Sequence, residues 1–454
     1  MTDATADLSL PESLRSNNMH FDKEFLPAFK ALDEFEKKGK NSFIITIRRL
    51  PDISYSHHMR ITDDLEESYF YVKKIVLTLL WMIGGTEIMF FGSTDMYSYF
   101  KTKLDSDDEL KKSVEEISKV FSSPVVFSYT ENQYPDHAKM IPFSSSFKGN
   151  RIGFDAGGSD RKVTAVIDGK TVFSEEVLWQ PKLEKDYHFH YEGILDSLNR
   201  AKKHLPSVDG IGISTAGIVI DNELAQAALF YSCSEEEKRT HVRTIFKDMM
   251  KKEFPDVPYN VANDGDVSAM GGYLLFHKNS VLGLALGTSE ASGYCIDGCF
   301  NGWVNELGKV PFNYDDNAVS HYAMGIKGAG SEYLSQKGII RLCKNAGVSF
   351  SGTLAEQLLK IQKEAEDGNE TVLKAYQDMA EYLSSAILFY HRFFKFESVL
   401  LLGRVMSGIG GEIMTKRTEE ALNEHHLAVE VFTANEKFKR LGQSYIAAGL
   451  PEIK

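Results

Sequence analysis

Cysteine is scarce in this chain: four occur in 454 residues, at Cys233, Cys295, Cys299 and Cys343, with no CxxC pair. That count excludes a disulfide scaffold and makes a reducing, cytoplasmic setting the expectation. The Cys295–Cys299 spacing has no histidine or cysteine partner nearby in sequence. It reads as one thiol in a strand and one in the following turn, not as a metal site. Basic residues are outnumbered, 51 Lys and Arg against 64 Asp and Glu, for a formal charge of -13. A general grip on nucleic acid is therefore excluded, although a local phosphate site is not. Long apolar runs are also missing. The most apolar stretch, Ile75 to Ile83, is far too short to span a bilayer and reads as the end of a buried helix. The opening MTDATADLSLPESLRS has acids and a proline where a secretory signal needs an apolar core.

What remains is an ordinary globular composition, 43% hydrophobic and 25% charged, long enough for two or three domains. The first 150 residues read as mixed α/β. SFIITIRRL, EIMFFGS and SPVVFSYT look like strands, and DDLEESYFYVKKIVLTLLWMIGG and DELKKSVEEISKVF look like helices, the first of them stopped by Gly84 and Gly85. No helix-turn-helix pattern stands out there. The stretch from Ser144 to Asn150 reads as a linker.

A glycine motif opens the next segment, GFDAGGSDRKVTAVIDG from Gly153 to Gly169. A dinucleotide loop needs a helix directly after its glycines, and here a strand follows. A GxxxxGK[ST] loop is absent as well. The pattern returns in GLALGTSEASGYCIDG, Gly283 to Gly298. Both copies read G-x-x-x-G-x-S followed by an acid (Asp160 and Glu290), then a second strand and an Ile-Asp-Gly turn. Repetition of this kind predicts two homologous lobes, each offering a glycine turn to one cleft. Taken singly, either copy also suits an ordinary tight hairpin.

The order of motifs from Arg151 onward resembles the repressor, open reading frame and kinase (ROK) family of sugar kinases, within the actin-like, hexokinase-like ATPases. The resemblance implies an α/β fold of two duplicated actin-like (ribonuclease H-like) lobes around a nucleotide cleft, here with an N-terminal α/β extension. The expected units are 1–150 for the extension, 151–265 for the first lobe and 266–454 for the second. The hairpin at Asp155 is similar to the family's D-x-G-G-T loop. That implies Asp155 on magnesium, through water, and the backbone of Gly157, Gly158 and Ser159 at the phosphates. GIGISTAGIVID (Gly210 to Asp221) resembles a segment lining the sugar pocket, with Ala216 in place of the usual proline.

NVANDGDVSAMGGY is similar to the family's strand followed by N-D-A-N-x-A-A-x-G-E. The likeness makes Asp264 the candidate general base, since a sugar hydroxyl attacks poorly unless a carboxylate takes its proton. Asn263 would orient the acceptor, and Asp266 would serve the metal or cap the helix. From the local sequence alone Asp264 also suits a plain helix N-cap. LGTS (Leu286 to Ser289) is similar to the second phosphate loop, which implies nucleotide contacts from Gly287, Thr288 and Ser289. Here Glu290, Ala291 and Ser292 stand where the family has a glycine-rich turn.

FNGWVNELGKVPF resembles R-G-x-x-G-x-x-G-E-x-G-H and aligns Glu306 with the sugar-binding glutamate. Lys309 falls at the family's histidine; it is either a reader of the acceptor or a solvated surface lysine. The cysteine-rich zinc loop downstream has no counterpart, so no structural zinc is expected. LLLGRVMSGIGGEIM is similar to the adenosine segment, implicating Gly403, Ser407 and Gly408. The histidine pairs His57-His58, His188-x-His190 and His425-His426 read as surface or loop positions.

The resulting expectation is a magnesium-dependent, ATP-using sugar kinase. Its partner would be a small-molecule sugar, with no nucleic acid and no membrane; a homodimer stays open. Two alternatives are a non-catalytic sugar-sensing regulator, which should be retained on DNA, and an actin-like ATPase that activates a partner enzyme through an iron–sulfur cluster.

Overall fold

The computed structural model of the chain describes residues 12–144, 146–434 and 436–453. Residues 1–11, where the opening stretch begins, and Ser145 of the expected linker lie outside the described residues. The N-terminal unit runs α1 (Ala28–Lys38), β1 (Asn41–Arg49), β2 (Ile53–Ile61), α2 (Leu65–Met82), β3 (Glu87–Phe91), α3 (Thr94–Lys103), α4 (Asp108–Val120) and β4 (Val126–Tyr129). Its strands form one sheet in the order β2-β1-β3-β4. The Asp64 carboxylate caps α2 by accepting from the N–H groups of Glu66 and Glu67, which fixes where that helix begins. The short β5 (Ile141–Pro142) leaves this unit and joins the sheet of the second lobe.

The first lobe contains β6 (Asn150–Ala156), β7 (Asp160–Ile167), β8 (Lys170–Leu178), α5 (Tyr187–Lys202), β9 (Gly210–Thr215), β10 (Ile218–Ile220), β11 (Glu223–Gln226), the single turn α6 (Glu235–Glu237), α7 (Ile245–Glu253) and β12 (Tyr259–Asn263). The second contains α8 (Asp264–Phe276), β13 (Ser280–Leu286), β14 (Glu290–Ile296), β15 (Cys299–Phe300), α9 (Gln336–Asn345), α10 (Leu354–Glu366), α11 (Glu370–Tyr390), β16 (Ser398–Leu402), α12 (Gly408–Glu424) and β17 (Glu430–Thr433). The final helix, α13 (Glu436–Ala447), is broken at Gly442.

The duplication is visible in the sheets. The first lobe orders its strands β12-β9-β6-β7-β8 and the second β17-β16-β13-β14-β15. In each, three antiparallel strands are followed by two parallel ones. Both Ile-Asp-Gly turns adopt the same left-handed pair, Asp168 and Gly169 at φ 46° and 79°, Asp297 and Gly298 at φ 52° and 73°. Two positive φ values in succession suit a two-residue hairpin whose twist matches its strands.

Helix α13 crosses back to cover the first sheet. A Cβ on Gly153 would sit 1.7 Å from the Ser444 carbonyl oxygen, and one on Gly212 1.6 Å from that of Ala447, so only glycine admits the helix. The first lobe keeps a core of its own around Phe154, Ile213 and Phe246. The N-terminal unit does not: Phe25, Leu80 and Trp81 share one buried cluster with Phe312, Tyr333 and Tyr390 of the second lobe.

The histidine reading needs correction at two positions. His57 is a buried member of strand β2, stacked on Phe393, and burial pushes its pKa down to about 3. His190 is buried in α5, in contact with the Pro181 carbonyl at 2.9 Å and stacked on Phe230. Cys299 lies in β15 and not in the turn. Among the described residues no helix is long and apolar enough to cross a membrane.

Candidate active site

Parallel strands end in a row of unpaired backbone groups, and ligands in α/β folds gather at those carboxyl ends. In the first lobe the ends of β6, β9 and β12 carry Asp155, Ser214 and Asn263 in adjacent register. Asp155 is buried, and Ser214 Oγ donates to its Oδ1 at 2.7 Å. Asn263, not Asp264, is the N-cap of α8: its Oδ1 accepts from the Gly265 N–H at 2.7 Å, while its Nδ2 donates to the Gly217 carbonyl at 2.7 Å. Asp264 occupies the first position of the helix, and its Oδ1 shares the Gly265 N–H at 3.0 Å. The turn beneath it is locked by contact. A Cβ on Gly265 would lie 2.1 Å from the Ser292 carbonyl oxygen, and one on Gly293 2.2 Å from the Asp266 nitrogen.

Burial raises a run of carboxyls here. Asp155 is pushed up to about 6. Asp264 reaches about 7, through burial first and then the negative charges of Asp155 and Glu306. Asp266 also reaches about 7, again by burial, and accepts from Asn305 Nδ2 (3.1 Å) and the Tyr294 N–H (3.3 Å). It ties α8 to β14 and to the loop that bears Glu306. Glu290 is pushed up to about 8 by burial: it lies against Tyr390 and points into the second lobe instead of toward the exposed turn.

Lys309 Nζ lies 3.2 Å from Glu306 Oε2, 2.8 Å from Gln226 Oε1 and 4.2 Å from the centre of the Trp81 ring. Two oxygens and an aromatic face surround the ammonium. Lys309 is therefore not the solvated surface lysine of one reading: its side chain is 13% exposed.

The two glycine turns match in exposure. Gly157 and Gly287 are half-buried, while Gly158, Ser159, Thr288 and Ser289 are exposed, as a backbone that meets a ligand must be. Trp179 braces the first turn, with Nε1 donating to the Gly157 carbonyl at 2.8 Å. The Gln336 N–H at the start of α9 donates to the Gly287 carbonyl at 2.9 Å. Gly403, at φ 93°, packs against the Leu286 backbone, so the third segment touches the second turn. Ser407 is the N-cap of α12 without a side-chain bond, and Gly408 begins the helix. A cleft of about 430 Å³ opens beside them, lined by Met406, Ser407, Gly408, Gly411 and Thr415 among others.

Sequence reasoning missed Trp179, Ser214, Gln336 and Asn305. Only Ser214 left a local trace, as a hydroxyl residue next to the end of the strand GIGIST. Among the described residues no three His, Cys, Asp or Glu side chains converge to hold a metal unaided. Asp155 would nonetheless suit magnesium: it is a hard oxygen donor whose pKa is raised chiefly by burial, a cost that a cation would relieve.

No protein-family model and no curated protein matches the chain. Solved structures do. The ROK hexokinase of Thermus thermophilus aligns with a TM-score of 0.51 at 15% identity, over 66% of this chain and 97% of its own. A ROK family transcriptional regulator, a homologue of the E. coli MLC protein, aligns at 0.53 and 15% identity, over 83% and 95%. The fold is that of the ROK family. Both lobes of the actin-like architecture are present, and the N-terminal unit is carried on the second.

Proposed function

We propose that this chain is a ROK-family sugar kinase that uses ATP and magnesium. The observation carrying the reading is Asp264, at the start of α8 beside Asp155 and Glu306 and with a pKa raised to about 7. A carboxylate in that range accepts a proton near neutral pH while still ionising. The hexokinase among the structural neighbours supports the same class.

In this reading the Gly157–Ser159 and Gly287–Ser289 turns hold the phosphates through their backbone N–H groups. Gly403, Ser407 and Gly408 form the wall for adenosine. Magnesium, when bound at Asp155, supplies charge neutralisation across the phosphates. Glu306 accepts hydrogen bonds from the acceptor's hydroxyls, and Asp264 takes the proton of the attacking one. Asn263 acts indirectly, by fixing the turn on which Asp264 stands. Most of the acceleration comes from positioning, with water excluded by the lobes. A cytoplasmic location accords with the free thiols of Cys233, Cys295, Cys299 and Cys343.

The test is a panel of hexoses, amino sugars and polyols assayed with ATP and magnesium, using wild type and Asp264→Asn. Loss of about 10³-fold in turnover with unchanged folding is expected. Full activity in the variant would remove Asp264 from the mechanism. A second reading, a sugar-sensing regulator, is favoured by the regulator neighbour, which spans more of the chain than the hexokinase does. Tight sugar binding with no phosphorylation of any acceptor, together with retention on DNA, would select it.

A further inference from the structure

The N-terminal unit reaches the acceptor site through backbone as well as side chains. Helix α2 ends at Met82, which leaves its last carbonyls without intrahelical partners. Those of Trp81, Met82 and Ile83 accept from the N–H groups of Glu306, Asn305 and Val304 at 2.9, 2.9 and 3.1 Å. The loop that presents Glu306 is thus fastened, residue by residue, to the end of a helix from the N-terminal unit. The Trp81 ring, fully buried, then forms the seat of Lys309. From the opposite side Gln226 of β11 donates to Glu116 Oε1 of α4 at 2.8 Å and accepts from Lys309 at 2.8 Å.

We propose that Trp81 and Glu116 are positioning residues of the acceptor site: they hold Glu306 and Lys309 in register and latch the first lobe, through Gln226, across the mouth of the cleft. The proposal rests on the kinase reading for the role of Glu306, but the latch itself does not. The two sides of the N-terminal unit differ in a way that suits a latch. Toward the second lobe it shares an apolar core, which does not open without unfolding. Toward the first lobe only Ile218 of β10 joins that cluster, with Ile220 and Ala225 packed against it, and the other ties are polar. They are Glu116 to Gln226, the Val120 carbonyl to the Arg243 guanidinium at 3.3 Å, and Lys139 bridging Asp52 and Asp221. Inter-domain surfaces of this polar kind are the ones that move. The N-terminal unit therefore travels with the second lobe and grips or releases the small β10–β11 sheet. Because the Lys309 ammonium meets one oxygen of each lobe, Gln226 Oε1 and Glu306 Oε2, and faces the Trp81 ring of the N-terminal unit, release at Gln226 also frees the ammonium beside Glu306.

The experiment uses the full chain with Gln226→Ala, Glu116→Ala and Glu116→Gln, all at half-buried positions outside the cores, and reads amide exchange without any substrate. Both alanine variants should speed exchange in residues 218–226, Glu116→Ala by about tenfold for the loss of one charge-assisted hydrogen bond and Gln226→Ala by more for the loss of two, while β6 and β9 stay unchanged. Glu116→Gln, which retains an acceptor oxygen, should restore most of the protection. Kinetically, the alanine variants should raise the acceptor KM with little change in the KM for ATP. Unchanged exchange in both alanine variants would overturn the latch. Altered exchange with an unchanged acceptor KM would overturn the positioning role. A wild type that phosphorylates no acceptor would instead overturn the kinase reading, and the exchange result would still decide the latch.

Discussion

The two glycine hairpins share a backbone and differ in what they carry. Each pairs two antiparallel strands, ends in an Asp-Gly turn at positive φ and exposes its G-x-S apex. Beneath the first lies Asp155, close enough to Asp264 to raise its pKa. Beyond the second lies Glu290, turned inward and held by burial at a pKa of about 8. Their supports differ too: α13 presses on Gly153, whereas α8 lies against Gly283, where a Cβ would be 2.9 Å from the Ala269 nitrogen. Repetition of the fold has thus preserved the hairpin geometry that we propose meets phosphate. The side-chain chemistry has been sorted onto one copy.

That division is most sharply broken in the supports. Gly153→Val should destabilise the chain by about 3 kcal/mol or more, because backbone and not a flexible side chain blocks the new atoms. Gly283→Ala should cost roughly half as much. Denaturant midpoints on both variants test the asymmetry, and equal losses would contradict it.

The acids come next. Asp155→Asn should lower phosphorylation by about a hundredfold at saturating sugar, with a matching loss of magnesium dependence. Glu290→Gln should leave activity near wild type. Its signature is in stability. A carboxyl protonated in the fold up to about 8 but ionising near 4.5 when unfolded makes the native state bind the extra proton between those values. The stability present below pH 4.5 is therefore lost as pH rises toward 8. Glu290→Gln should melt higher than wild type at pH 8, similarly at pH 4, with a flatter profile between.

The pH-rate profile is subtler. With Asp155, Asp264 and Asp266 raised together by burial, the acid limb of kcat/KM should rise through an apparent value near 7 that belongs to the group. Asp264→Asn should remove it along with activity. Smallest are the hydroxyls: Ser159→Ala and Thr288→Ala should each raise the KM for ATP only a few-fold, since backbone N–H groups supply the main contacts.

Much of this was legible in sequence because it is local. The G-x-x-x-G-x-S repeat, the strand before Asp264 and the helix that stops just before Gly84 all express short-range rules. His57 was misread although its strand alternates Ile53, Tyr55, His57, Met59 and Ile61. A polar residue on an apolar face is easily taken for a surface one, and Phe393, which stacks on it, is far away in the chain. The fusion of the N-terminal unit with the second lobe left no local trace either. It is made by pairs such as Phe25 with Tyr382 and Glu306 with Trp81, whose separation in sequence hides them.

The return of α13 to the first sheet orders events in time. Arg151 reaches the carbonyls of Ala448 and Pro451, almost three hundred residues onward, and Gly153 and Gly212 await the same segment. On the ribosome, β6 and β9 emerge with their helix-facing side bare and remain so while the second lobe is made. The first lobe to appear is the last to be finished, and a chain interrupted before Ser444 would leave the sheet beneath Asp155 open to water.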